Sequence, residues 1–137
     1  MLVQIHLRAK KLGNISPSAW RLQKSSPYAK VTALSPHNVL GCTEVVPHTL
    51  SPVWSTILSL EHDASAAWTP LRISIYDRRG AQSRPLKHSN ESDVLPRRIL
   101  QAVPMESDGK MGEVDLEVAD VLTEGGEREF ALHEGGR

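Results

Sequence analysis

Leu71-Arg72-Ile73-Ser74-Ile75-Tyr76-Asp77 alternates apolar and polar side chains, with Leu71, Ile73 and Ile75 in one phase and Arg72, Ser74 and Tyr76 in the other. A period of two is the mark of a half-buried β-strand, because successive side chains leave a strand on opposite faces. The same pattern recurs on both sides of this stretch. Upstream, Val3, Ile5, Leu7 and Ala9 alternate with Gln4, His6 and Arg8. Tyr28 to Leu34 places Tyr28, Lys30 and Thr32 on one face and Ala29, Val31 and Ala33 on the other. Val39 to Val46 forms a third strand, closed by Pro47, which has no N–H to give to a ladder. Trp54, Thr56, Leu58 and Leu60 are in phase in a fourth. Downstream, Met111 to Val118 and Glu127 to Leu132 give a sixth and a seventh strand.

Turn chemistry separates these runs: Leu12-Gly13-Asn14, Ser16-Pro17-Ser18, Ser35-Pro36-His37-Asn38 and Ser51-Pro52. Seven short strands with such punctuation predict an all-β, two-sheet antiparallel sandwich. The helical periodicity is confined to a short turn near Val118 to Leu122 and another near Val94 to Leu100. Residues 80–111 form a long, polar, basic insertion with little periodicity, and loops of that length carry function or remain disordered. Trp54 is expected in the core and Trp68 at the rim of the sandwich.

The chain has 137 residues, 39% hydrophobic and 23% charged, which suits one domain with one core. No run of 18 apolar residues exists, and Met1 to Lys11 lacks the continuous apolar stretch of a signal peptide. Cys42 is the only cysteine, so no disulfide closes within the chain, and a reducing, cytoplasmic location is expected. The net charge is zero but unevenly spread: +3 over residues 1–71, +4 over 72–105 and −7 over 106–137. Such asymmetry can give a domain one pole able to meet an anionic surface.

Five stretches, in order, carry a family resemblance. Ser25-Ser26-Pro27-Tyr28-Ala29-Lys30-Val31, Thr43-Glu44-Val45-Val46 and Thr49-Leu50-Ser51-Pro52-Val53-Trp54 are similar to early-strand and turn motifs of the C2 domain family. Leu71 to Asp77 resembles its Leu-x-Ile-x-Val-x-Asp strand, and Gly112-Glu113-Val114 with Asp120-Val121-Leu122 resembles the close of the domain. The resemblance implies a Greek-key C2-like sandwich of seven to eight strands over residues 1–137. It also implies one strand more than the seven read here. That strand is expected beyond Arg137, in a larger protein of which this is the N-terminal part. Residues 94–105 or a partner chain are the other ways to fill the place, and an unfilled sheet edge invites self-association.

The resemblance further implies where calcium ligands would stand. Those positions are Trp20, Ser26, Asp77, Arg79 and Gly109, with Asp108 beside the last. Calcium takes 6–8 oxygen ligands, mostly from carboxylates, and only Asp77 is kept, with a cation at Arg79. No metal site and no cofactor are expected, and calcium is not expected as a partner.

The six histidines lack metal-ligand spacing, and no nucleophile elbow, phosphate loop or dinucleotide motif is present. The domain is expected not to be an enzyme. Its first expected function is calcium-independent recognition of an anionic membrane surface, as a peripheral protein. Trp20, Arg21, Leu22 and Lys24 on one loop, and Arg78, Arg79, Arg84 and Lys87 on another, would make the contact. The alternative is a protein-interaction or scaffold module without lipid binding. Nucleic acid is set aside, given zero net charge and 4% aromatic residues.

Overall fold

The computed structural model describes residues 2–13, 15, 24–34, 37–62, 67–79, 101–123, 126 and 129–132. Six strands and one short helix follow each other: β1 (Leu2–Ile5), β2 (Pro27–Leu34), β3 (His37–Cys42), β4 (Leu58–Glu61), β5 (Pro70–Asp77), β6 (Gly109–Glu117) and α1 (Val118–Thr123). One sheet has the order β3-β2-β5-β6 and the other pairs β1 with β4, every pairing being antiparallel.

The alternation read from the sequence sorts the faces. Ala29, Val31 and Ala33 of β2 lie in register with Ile75, Ile73 and Leu71 of β5, and Val114 of β6 continues the layer. All are buried in one cluster with Leu12, Trp54, Leu58, Met111 and Val118. Trp54 is fully buried, and its indole N–H donates to the Pro27 carbonyl at 3.2 Å, so the ring's one polar group is satisfied inside. Trp68 packs at the margin of the core and stacks on His62 at 3.4 Å.

Three strands are shorter than expected, for a physical reason, and the first stops at Ile5 rather than Ala9. Leu58 to Glu61 pairs with β1, but the preceding run meets residues 7–12 through separate contacts. These are the Arg8–Val53 bridge and the bonds Trp54 N to Leu7 O, Ala9 N to Pro52 O and Leu12 N to Leu50 O. Between Leu58 opposite Ile5 and Val53 opposite Arg8, two more residues lie on the 53–58 side than on the 5–8 side. The extra length bulges, and a side chain replaces the ladder: Glu44 accepts the N–H groups of Ser55 at 2.7 Å and Thr56 at 3.1 Å. The third strand likewise stops its ladder at Cys42, although Thr43 N still reaches Ala29 O and Val46 N reaches Pro27 O. Leu40 is an extra residue in β3. There Gly41 (φ 153°) brings the strand so close that a Cβ would stand 3.0 Å from Leu58 Cδ2.

Six strands are found among the described residues rather than seven. Glu127 and Arg128 of the expected last strand lie outside the described residues, and Glu129–Leu132 carry no ladder. Phe130 and Leu132 nevertheless pack against the core, and Glu129 pairs with Lys10 at 2.9 Å. The turn expected near Val118 is α1. Of the insertion, residues 80–100 lie outside the described residues, and so does the turn expected near Val94 to Leu100. Residues 101–105 form no strand, but Ala102 N donates to Thr43 O at 2.8 Å.

Candidate functional site

The alternation that buries Leu71, Ile73 and Ile75 carries one step further and turns Asp77 inward at the end of β5. A carboxylate delivered to the core face must find donors or lose stability. Ser26 N–H supplies one to Oδ1 at 2.7 Å, and Arg79 Nε stands 3.6 Å from Oδ2. The Asp77 side chain is 3% exposed. Ser25 and Ser26 tie neighbouring segments to this point: Ile15 N donates to Ser25 Oγ, His48 N to Ser26 Oγ, and Arg78 N to Ser26 O.

Asp108, at the end of the insertion, is the second carboxylate of the pole and is 1% exposed. It accepts from the Tyr28 hydroxyl at 2.6 Å, from Met105 N–H at 3.0 Å and from Arg79 N–H at 3.2 Å. Arg78 completes the set with Nε 3.2 Å from Oδ1, while its Nη2 donates to the Val103 carbonyl at 2.5 Å. The Arg78 guanidinium also lies over the Tyr28 ring, 5.1 Å from its centre, an arrangement that favours a cation. Burial first, then the hydrogen bond to Asp108 and the Asp108 charge, push the Tyr28 phenol well above its ordinary range, against the opposing pull of Arg78.

These bonds hold the segment 101–108 against the sandwich, and they leave its apolar side chains outside. Val103 is 69% exposed and Met105 40%. On the sequence both belong to the stretch 94–105 that could fill a further strand, not to the expected contact surface. The available signal was the apolar Val103-Pro104-Met105 just before the polar Glu106-Ser107-Asp108.

The expected ligand positions can now be placed. Ser26, Asp77, Arg79, Asp108 and Gly109 come together, and Trp20 lies outside the described residues. Among the described residues no three His, Cys, Asp or Glu side chains are grouped so as to hold a metal ion. Asp108 and the Oδ1 of Asp77 accept from protein N–H and O–H donors, and Asp77 Oδ2 has only the Arg79 guanidinium beside it at 3.6 Å. Among the described residues this donor set does not fit a calcium ion, which takes many oxygens and no cation among them.

Of the expected membrane contacts, Trp20, Arg21, Leu22, Arg84 and Lys87 lie outside the described residues, and Lys24 is exposed. Arg78 is 9% exposed and committed to Asp108, whereas Arg79 is 33% exposed. Cys42 is buried, and that burial raises its thiol pKa in spite of the nearby charges of Lys30 and Arg78, the opposite of an activated nucleophile. No helix among the described residues is long and apolar enough to cross a membrane.

Comparison with known proteins agrees with this geometry. No curated protein matches the sequence. Among solved structures, a calcium-bound pair of C2 domains, A and B, of Extended-Synaptotagmin 2 aligns with a TM-score of 0.55 and 18% identity. The alignment covers 90% of this chain and 36% of that one, so the present chain spans about a third of the length of that solved chain. A second structure, described as that of a C2 domain, aligns with a TM-score of 0.52 and 18% identity, over 85% of this chain and 75% of that one. At such identity the likeness speaks for the fold. The C2 domain family model matches residues 2–132, nearly the whole chain. With its two antiparallel sheets and the pole built around Asp77 and Asp108, the chain belongs to the C2 domain family, whose members are generally lipid-, calcium- or protein-binding modules.

Proposed function

We propose that this chain is a calcium-independent membrane-recognition module, acting through the pole formed by residues 24–26, 77–79 and 101–108. The observation that carries the reading is the pairing of two roles in one network. Arg78 neutralises the Asp108 carboxylate that a cation would otherwise meet, and the bonds of this pair to Val103 O and Met105 N hold Val103 and Met105 outward. Apolar side chains fixed beside basic ones suit the membrane interface, where chains enter the acyl boundary and cations meet lipid phosphates. Lys24 and the exposed part of Arg79 supply charge at this pole, and Trp20, Arg21, Leu22, Arg84 and Lys87 belong to the same proposed surface. A peripheral, cytoplasmic location accompanies the reading, and no catalytic role does.

One observation favours the alternative, a protein-docking module. Arg78 and Arg79 are paired with Asp108 and Asp77, so the centre of the pole is largely self-neutralised and attracts anionic lipid less than its arginine count suggests. Vesicle sedimentation in chelator separates the two. Wild-type chain should pellet with phosphatidylserine vesicles, and Val103→Asp with Met105→Asp should reduce binding at least tenfold. Burying one such side chain contributes about 1.5–3 kcal/mol, and about 1.4 kcal/mol is a tenfold change. If wild type does not pellet, protein docking becomes the better reading.

A further inference from the structure

Gly109 opens β6 opposite Asp77, and it is not among the glycines with positive φ, so its backbone suits any residue. Its missing side chain is therefore a matter of room. A Cβ built at this position would overlap the Arg79 guanidinium, standing 2.5 Å from Cζ and 3.0 Å from Nε. Arg79 thus rests on the start of β6 in space that any side chain would take, and because its guanidinium is the far end of a flexible side chain, a Cβ there would push it off Asp77 rather than strain the backbone. From there Nη2 donates to the Ile15 carbonyl at 3.2 Å, and Nε faces Asp77 Oδ2 at 3.6 Å. Neither Nε nor Oδ2 has a hydrogen bond among the described residues, although both are buried. A carboxylate oxygen in that position depends on a nearby positive charge.

We propose that Arg79 is the tethered counter-cation of Asp77, that Gly109 is its seat, and that the two work as one clasp. The clasp joins the backbone at Ile15 to the ends of β5 and β6, and it gives Asp77 the charge that a bound ion would otherwise provide. The inference rests on the calcium-independent half of the functional reading and makes no use of the membrane half. Melting the wild-type chain with and without calcium tests the reading. A separate mutational cycle tests the clasp.

The cycle compares thermal melting of the full chain as wild type, Arg79→Ala, Gly109→Ala and the double variant, with Arg79→Lys and Arg79→Gln as a charge pair. Gly109→Ala should lower the melting temperature by about 5 °C or more in the wild-type background, and by about 1 °C or less once Arg79 is alanine. Arg79→Lys should keep at least half of the stability that Arg79→Gln loses. Equal costs of Gly109→Ala in both backgrounds, no cost in either, or a lysine as damaging as glutamine would overturn the proposal. If Gly109→Ala alone does not fold, a double variant that melts like Arg79→Ala shows the same coupling. A double variant that also fails to fold overturns it.

Discussion

The Tyr28 hydroxyl donates to Asp108 at 2.6 Å, while its ring stacks on Tyr76 with centres 5.6 Å apart and lies beneath the Arg78 guanidinium. A hydrogen bond to a charged acceptor contributes about 1.5–3 kcal/mol, and Tyr28→Phe removes that bond while keeping the ring. Tyr28→Phe should therefore lower the unfolding free energy by that amount in urea, and a loss under about 0.5 kcal/mol would contradict the role given to the bond. Burial, followed by the Asp108 hydrogen bond and charge, raises the folded phenol pKa above its ordinary value of 10.0. A raised folded pKa means that stability is fully present below pH 10 and is lost as pH climbs toward the folded value. Wild type should thus weaken above pH 10 more steeply than Tyr28→Phe, as unfolding at stepped alkaline pH would reveal. Parallel alkaline limbs would count against it.

Glu44 shows how one side chain can stand in for a ladder. Its carboxylate accepts from Ser55 N, Thr56 N and the Thr56 hydroxyl, where the bulge separates residues 53–57 from β1. Burial opposes its charge, but the bonds from Thr56 and Ser55 outweigh that and hold its pKa below the ordinary carboxylate value of 4.5. A depressed folded pKa contributes stability that is present above pH 4.5 and is lost as pH falls through the folded value. Glu44→Ala should cost about 1–3 kcal/mol at neutral pH, because two N–H groups lose their acceptor. The difference from wild type should shrink in acid below pH 4.5. A difference that persists there unchanged would show that the charge is not what matters.

The bulge also explains what could be read in advance and what could not. Period-two alternation at Leu71 to Asp77 and Tyr28 to Leu34 reports which face joins the apolar core, whereas Tyr28, Thr32 and Ser74 of the opposite face are buried as well, under contacts that alternation does not encode. Trp54, Thr56 and Leu58 alternate just as well, yet the N–H groups of Ser55 and Thr56 go to Glu44, since alternation carries no information about which acceptor a backbone group finds. Glu129 to Leu132 shows the same limit. Phe130 and Leu132 reach the core without forming a ladder. At the pole, the sequence displayed Arg79 and Gly109 as two separate departures from a ligand set. That one makes room for the other appears only when the start of β6 is seen beside the end of β5.

At the scale of the whole molecule, the four-stranded sheet delivers both ends of the pole. β5 ends at Asp77 and β6 begins at Gly109, paired across the ladder, and the intervening insertion returns through Val103, Met105 and Asp108. The cations that settle these carboxylates are Arg78 and Arg79, part of the chain itself, so adding an ion should change nothing. The most direct measurement is thermal melting of the wild-type chain in chelator and in 1 mM calcium. A ligand that binds only the folded state at one hundred times its dissociation constant adds about 2.7 kcal/mol, which moves the midpoint by several degrees. Superimposable melting curves in the two conditions are the expected result. A midpoint raised by several degrees in calcium would contradict the assignment of Arg78 and Arg79 as the cations of this pole.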